Sequence, residues 1–168
     1  AAREHYDHLM EIEPQVNRWQ HYQSVTMGTI GELYFQQGEY DLSLDYQGQS
    51  VALARQLTQA DPLSTQWSEL LLVAHWRSAQ VYFAQKQFPK ALGAYQSALR
   101  PAQLMLNLNP DNVEHRSVVA EAHENLATTY KQLDPALATP ENYAEAMKHD
   151  KEALSHYMHL AGQMDNID

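Results

Sequence analysis

Apolar and small residues recur along the chain at three- and four-residue spacing. Met27, Ile30, Gly31 and Tyr34 form one stripe, and Val25, Gly28 or Thr29, Glu32 and Phe35 form the stripe beside it. This is the period of an α-helix with one face turned inward. No two-residue alternation of useful length competes with it. Asp61-Pro62 and Asn109-Pro110 place a capping residue before a proline, which reads as a helix start with proline at the first helical position. The spacing predicts helices over 2–12, 15–37, 40–60, 63–86, 89–108, 111–133 and 141–162, about seven in an alternating all-α stack.

The same pattern also repeats at long range. The phrase "LYFQQGEY" at 33–40 returns as "VYFAQKQF" at 81–88, 48 positions later. Pro14, Pro62 and Pro110 keep that interval, as do Trp19, Trp67 and His115, then Gly31, Ala79 and Ala127, then Tyr34, Tyr82 and Tyr130. Tyr40 and Phe88 continue as Tyr143 after a further shift of seven residues, and small residues follow at Ser43, Ala91 and Ala146 and at Ser50, Ala98 and Ala153. A fixed period of this size is the mark of a repeat architecture, in which each unit buries its apolar face only against a neighbour. The expected organisation is a half-repeat at 1–13, repeats at 14–61 and 62–109, and a third at 110–168 carrying an insertion at 133–142. The opening "YDHLMEIEP" aligns with "ARQLTQADP" and "AQLMLNLNP", so the chain is expected to begin inside a second helix and to have been excised from a longer protein.

The matching segments are "IGELYFQQGEYDLSLDYQGQSV", "SAQVYFAQKQFPKALGAYQSAL" and, around the insertion, "LATTYKQ" with "YAEAMKHDKEAL". In these the chain resembles the tetratricopeptide repeat, with a period of 48 in place of the usual 34 or so. With "DPLSTQW" and "NPDNVEH" as punctuation, it is similar to the long repeats appended to bacterial signalling proteins. The resemblance implies a right-handed α-solenoid of antiparallel helix pairs acting as a non-catalytic interaction or regulatory module. It also implies that the first helix of each repeat lines a concave groove. The corresponding positions are Val25, Gly28, Glu32 and Phe35, then Val73, Trp76, Gln80 and Phe83, then Glu121, Glu124, Thr128 and Lys131. The row passes from apolar anchors to carboxylates, which suits a protein or peptide with a bulky apolar residue at one end and Lys or Arg at the other. A competing reading has Phe35 and Phe83 sealing adjacent repeats. Self-association through exposed repeat ends, giving a homo-oligomer, is the alternative role, and a small-ligand or metal sensor a third.

Charge narrows the partners. The formal net charge is −10, and only the central stretch, 62–110, is mildly basic. A surface for nucleic acid needs clustered Lys and Arg, so none is expected. The longest apolar run, "LLLVA" at 70–74, is far short of a membrane span, and no direct membrane insertion is expected. There is no cysteine, which excludes disulfides, thiol nucleophiles and thiolate metal sites without fixing the compartment. The reading is cytoplasmic, with the periplasmic domain of a membrane-anchored protein as the alternative.

Nine histidines raise the question of metal. His149, Glu152, His156 and His159 lie on one side of a helix and could share Zn²⁺ or Ni²⁺. The preferred reading is a solvated polar stripe opposite an apolar face of Ala146, Ala153, Leu154 and Tyr157, with no metal and no cofactor. His75 and His123 share a repeat column and are expected to pack between helices, and Trp19 and Trp67 to pack between repeats. Enzyme signatures are missing: "HENLA" at 123–127 lacks the second His of a zinc-protease helix, and "GTIG" at 28–31 lacks the glycine and Lys spacing of a phosphate loop. The chain is read as no enzyme.

Overall fold

The computed structural model describes residues 17–133 and 139–164. Over these the chain forms six helices: α1 (Asn17–Gln36), α2 (Tyr40–Ala60), α3 (Thr65–Ala84), α4 (Phe88–Leu108), α5 (Val113–Lys131) and α6 (Pro140–Met164). The helix expected at 2–12 lies outside the described residues. Among the described residues there is no strand. Each helix packs most closely on its neighbour in the chain, as α1 with α2, α3 with α4 and α5 with α6, and the pairs stack in chain order, with α1 also reaching α3. The architecture is an all-α solenoid of consecutive helix pairs.

Two starts differ from expectation. The chain does not enter α3 and α5 at Pro62 and Pro110; the caps are Ser64 and Asn112, two residues on. The amide of Trp67 donates to Ser64 Oγ at 3.3 Å and that of His115 to Asn112 Oδ1 at 2.8 Å. A side-chain oxygen that meets the free N–H groups of the first turn fixes a helix start more firmly than a proline that merely tolerates it. The prolines shape the preceding turns instead. The turns within the first two pairs are also equivalent: Gly38 (φ 79°) and Lys86 (φ 58°) hold left-handed backbone at positions one period apart.

The small-residue column explains how closely the paired helices approach. Gly31, Ala79 and Ala127 are all buried, the two alanines at 0% exposure. A Cβ on Gly31 would stand 2.7 Å from Gln47 Nε2 and 3.1 Å from the Ser43 carbonyl oxygen. Gln47 is itself fully buried, its Nε2 donating to the Gly28 carbonyl at 3.1 Å, and Ser24 Oγ donates to the Ser50 carbonyl at 3.0 Å. The first pair is thus joined partly by hydrogen bonds. One period on, Ser43, Gln47 and Ser50 become Ala91, Tyr95 and Ala98, and the second pair closes on a hydrocarbon core. That core joins Ala79, Ala91, Leu92 and Tyr95 to Leu126 of the third pair, and a second cluster joins Leu72, Ala102, Met105 and Val119. Both clusters bridge the second and third pairs and so hold α3 and α5 as one surface, which α1 joins through its own contact with α3.

Candidate functional site

Three hollows adjoin along the first helices of the pairs. The first, of about 390 Å³, lies between α1 and α3 and is lined by Val25, Gly28, Val73 and Arg77, with Ser24 and Ser50 at its polar side and His21 and Glu69 at its rim. The next, of about 310 Å³, lies between α3 and α5 and takes Val73, Trp76, Arg77, Gln80, Val118 and Glu121. The third, of about 340 Å³, is lined by Phe35, Gln80, Phe83, Tyr95, Asn125 and Thr128. Gln80 and Val73 each border two of them. Each hollow sits at the low end of the roughly 300–1,000 Å³ usual for small-molecule pockets.

Of the twelve residues of the sequence-derived row, the structure brings Val25, Gly28, Phe35, Val73, Trp76, Gln80, Phe83, Glu121 and Thr128 to these hollows. Helix geometry accounts for this, since the 3-4-3 spacing keeps one face of each first helix on one side. The remaining three are held elsewhere. Glu32 accepts a hydrogen bond from Gln36 Nε2 at 3.2 Å within its own helix. Glu124 accepts from Tyr157 Oη at 3.0 Å, and Lys131 forms an ion pair with Asp150 at 2.8 Å, so both reach towards α6. The aromatic anchors have partners too. Trp76 meets Tyr95 edge-on at 6.0 Å, Phe83 meets Phe88 at 5.4 Å and Phe35 meets Tyr40 at 5.9 Å, leaving each half-buried with a face on its hollow. Burial of Tyr95 pushes its hydroxyl up to about 12, so it stays a neutral donor at the floor of the third hollow.

Arg77 escaped the sequence reading, because it stands one residue outside the 3-4-3 row. Its Nη1 lies 2.9 Å from the place a Cβ on Gly28 would take, so the guanidinium rests over the bare backbone of α1. Glycine at 28 makes the room, and Arg77 is the only cation in α3. The chemistry of the row is therefore apolar and cationic towards α1 and carboxylate-bearing at α5.

Of the two tryptophans expected to pack between repeats, Trp67 of α3 meets His21 of α1 at 5.4 Å, while Trp19 meets Tyr22 of its own helix at 6.2 Å. The histidine stripe of α6 is not a solvated face. His149 is 8% exposed and His156 half-buried, both turned towards α5, while Glu152 and His159 are exposed. Leu154 and Tyr157, expected inside, are 58% and 39% exposed, and with Tyr143, Met147 and Met158 they make the outward stripe. Only Ala146 and Ala153 of that expected face are buried, because the α5–α6 approach admits alanine and flat imidazole side by side. Among the described residues no three His, Asp or Glu side chains converge as metal ligands. No helix among them is long and apolar enough to cross a membrane. His75 is half-buried, and burial first and Arg55 second hold its ring below the ordinary imidazole range.

Residues 25–62, most of α1 and all of α2, match the family model for the tetratricopeptide repeat. No curated protein matches the chain.

Proposed function

We propose that this tetratricopeptide-repeat chain binds a partner peptide or protein segment along the face of α1, α3 and α5. Repeats of this kind serve in general as scaffolds for contacts between proteins, and the fold is typically non-catalytic. The observation that carries the finer reading is the run of three adjoining hollows with half-buried Trp76, Phe35 and Phe83 at their walls. Aromatic side chains that keep one face open while the other is packed are preorganised, so little entropy is lost when a partner covers them. The carboxylate of Glu121 at the α5 end favours Lys or Arg at that end of the partner, and such surface charges act mainly on orientation and on-rate. Selection of displayed random peptides is expected to enrich sequences pairing a bulky apolar residue with Lys or Arg. Trp76→Ala should weaken the selected peptides by at least tenfold, and Glu121→Lys should slow association and lessen its salt dependence. Unchanged affinity in both folded variants would remove the groove as the site.

One observation favours a second role. The outward stripe of α6, Tyr143, Met147, Leu154 and Met158, is more than half exposed at every position. Met147 and Leu154 stand where Leu92 and Leu99 of α4 are covered by the next pair, so this stripe has the character of an uncovered repeat face. On this reading light scattering shows mass rising with concentration, and Met147→Lys with Leu154→Lys restores the monomer. A constant monomer mass across the range would leave the groove reading alone.

A further inference from the structure

The cavity between α4, α5 and α6 contains the least expected chemistry of the fold. It is lined by Leu99, Gln103, Leu106 and Asn107 of α4, Val119 and His123 of α5, and Lys148, His149, Glu152 and His156 of α6. His123 and His149, 7% and 8% exposed, face each other Nδ1 to Nδ1 at 2.8 Å. Tyr130 stacks on the His149 ring at 5.8 Å, and His156 stacks beside His123 at 6.1 Å, so both rings are clamped in place.

We propose that the His123–His149 pair is an acid-released catch that fastens α6 to α5. A hydrogen bond between two Nδ1 atoms requires one to carry a proton and the other a lone pair. The neutral pair satisfies this. A first added proton goes to the free Nε2 of the donor ring, and the resulting imidazolium still donates to its neutral partner. A second has only the accepting Nδ1 left to take, and two N–H groups then point at each other across the space of one hydrogen bond. The contact between α5 and α6 has no arrangement that keeps both rings in place in that state.

The surroundings set the direction. On α6, Lys148 and His156 stand near His123 and disfavour a charge there, while Glu152 favours one; Glu145, Glu152 and Asp150 favour charge on His149 and Lys148 opposes it. Asp150 is already engaged by Lys131 of α5. Burial first, then Arg116 of α5 and His159 of α6, oppose charge on His156 while Glu152 favours it, and α4 brings only apolar and amide groups to the cavity. Burial outweighs the carboxylates, holding His123 down at about 4 and His149 below the ordinary imidazole value. In the unfolded chain both rings take protons near about 6.5. Between that value and the folded one the unfolded state binds more protons, so the catch is at full strength above about pH 6.5 and weakens as pH falls towards about 4. The outcome is local, because among the described residues α6 touches only α5 extensively. Its release also frees Glu124 from Tyr157 and Lys131 from Asp150, changing the charges at the α5 end of the groove.

The repeat supplies its own control. The positions of His123 and His149 correspond to Met27 and Tyr46 in the first repeat, where Tyr46 stacks on Tyr34 at 5.5 Å, as His149 does on Tyr130. Amide hydrogen exchange, corrected for intrinsic rates, should show protection in α6 falling at least tenfold between about pH 7.5 and about pH 5, with α1 to α4 little changed. His123→Met with His149→Tyr should remove that difference. Equal protection of α6 at both pH values, loss spread evenly over all six helices, or the same acid loss in the double variant would overturn the proposal. A measurement on the unaltered protein stands beside these: ¹⁵N shifts of the imidazoles should show His123 and His149 titrating as a coupled pair with one step well below the ordinary range. Two independent titrations near about 6.5 would also overturn it.

Discussion

Leu126→Ala is expected to lower the stability of the chain by about 2–5 kcal/mol, the range for emptying a fully buried leucine site. Leu126 is at 0% exposure and closes the cluster formed by Ala79, Ala91, Leu92 and Tyr95. Those neighbours come from α3 and α4, while Leu126 comes from α5, so the cavity opens at a joint between repeats. Helix backbones on both sides resist collapse into the space, which puts the cost in the upper part of that range. A melting temperature roughly 4–20 °C lower follows for a chain of this size. Because each repeat leans on its neighbour, amide exchange should rise first in α5 and α6. A melting temperature within a degree of the parent would contradict the assignment of Leu126 to the joint.

Ala79→Tyr is expected to cost about 3 kcal/mol or more, at or above the usual range for overpacking. Ala79 is at 0% exposure in the column where α3 meets α4, with Ala91 and Tyr95 in the same cluster. A phenol ring there has no direction in which to turn, since α3 and α4 approach closely enough to leave Ala79 and Ala91 with no exposure. Ala79→Gly serves as the control. It loses about 1 kcal/mol of helix propensity but leaves the packing distance unchanged, as Gly31 already shows one period earlier. Urea midpoints should rank parent above Ala79→Gly above Ala79→Tyr. A Tyr variant as stable as the parent would place Ala79 at the surface and dissolve the repeat register.

The helices were legible because they rest on short-range facts: apolar spacing and small residues at close approaches. The helix starts were not, because Pro62 and Pro110 are louder signals than Ser64 and Asn112 but make no hydrogen bond. On α6, the shift of seven residues that aligns Tyr143 with Phe88 also puts His149 in the column of Tyr46 and Ala94, an inward position. Hydropathy alone assigns imidazole to water and leucine to the core. With no further pair to cover it among the described residues, Leu154 faces outward despite its side chain. Glu124 and Lys131 keep the spacing of the groove row, yet long side chains at the edge of that row find α6 within reach. Arg77 was passed over for a different reason: it stands outside the 3-4-3 row, and the space it fills is made by the missing Cβ of Gly28 on another helix, α1.

Binding along the first helices is tested most directly by chemical-shift mapping with a selected peptide of the stated type. On titration, the side-chain and amide signals of Val73, Trp76, Gln80 and Phe83 should move together and saturate together, with smaller changes at Gly28 and Glu121. The α6 stripe of Tyr143, Met147 and Leu154 should stay still. Shifts confined to that stripe, or a selection that yields no peptide moving the four α3 residues, would contradict the groove as the binding surface.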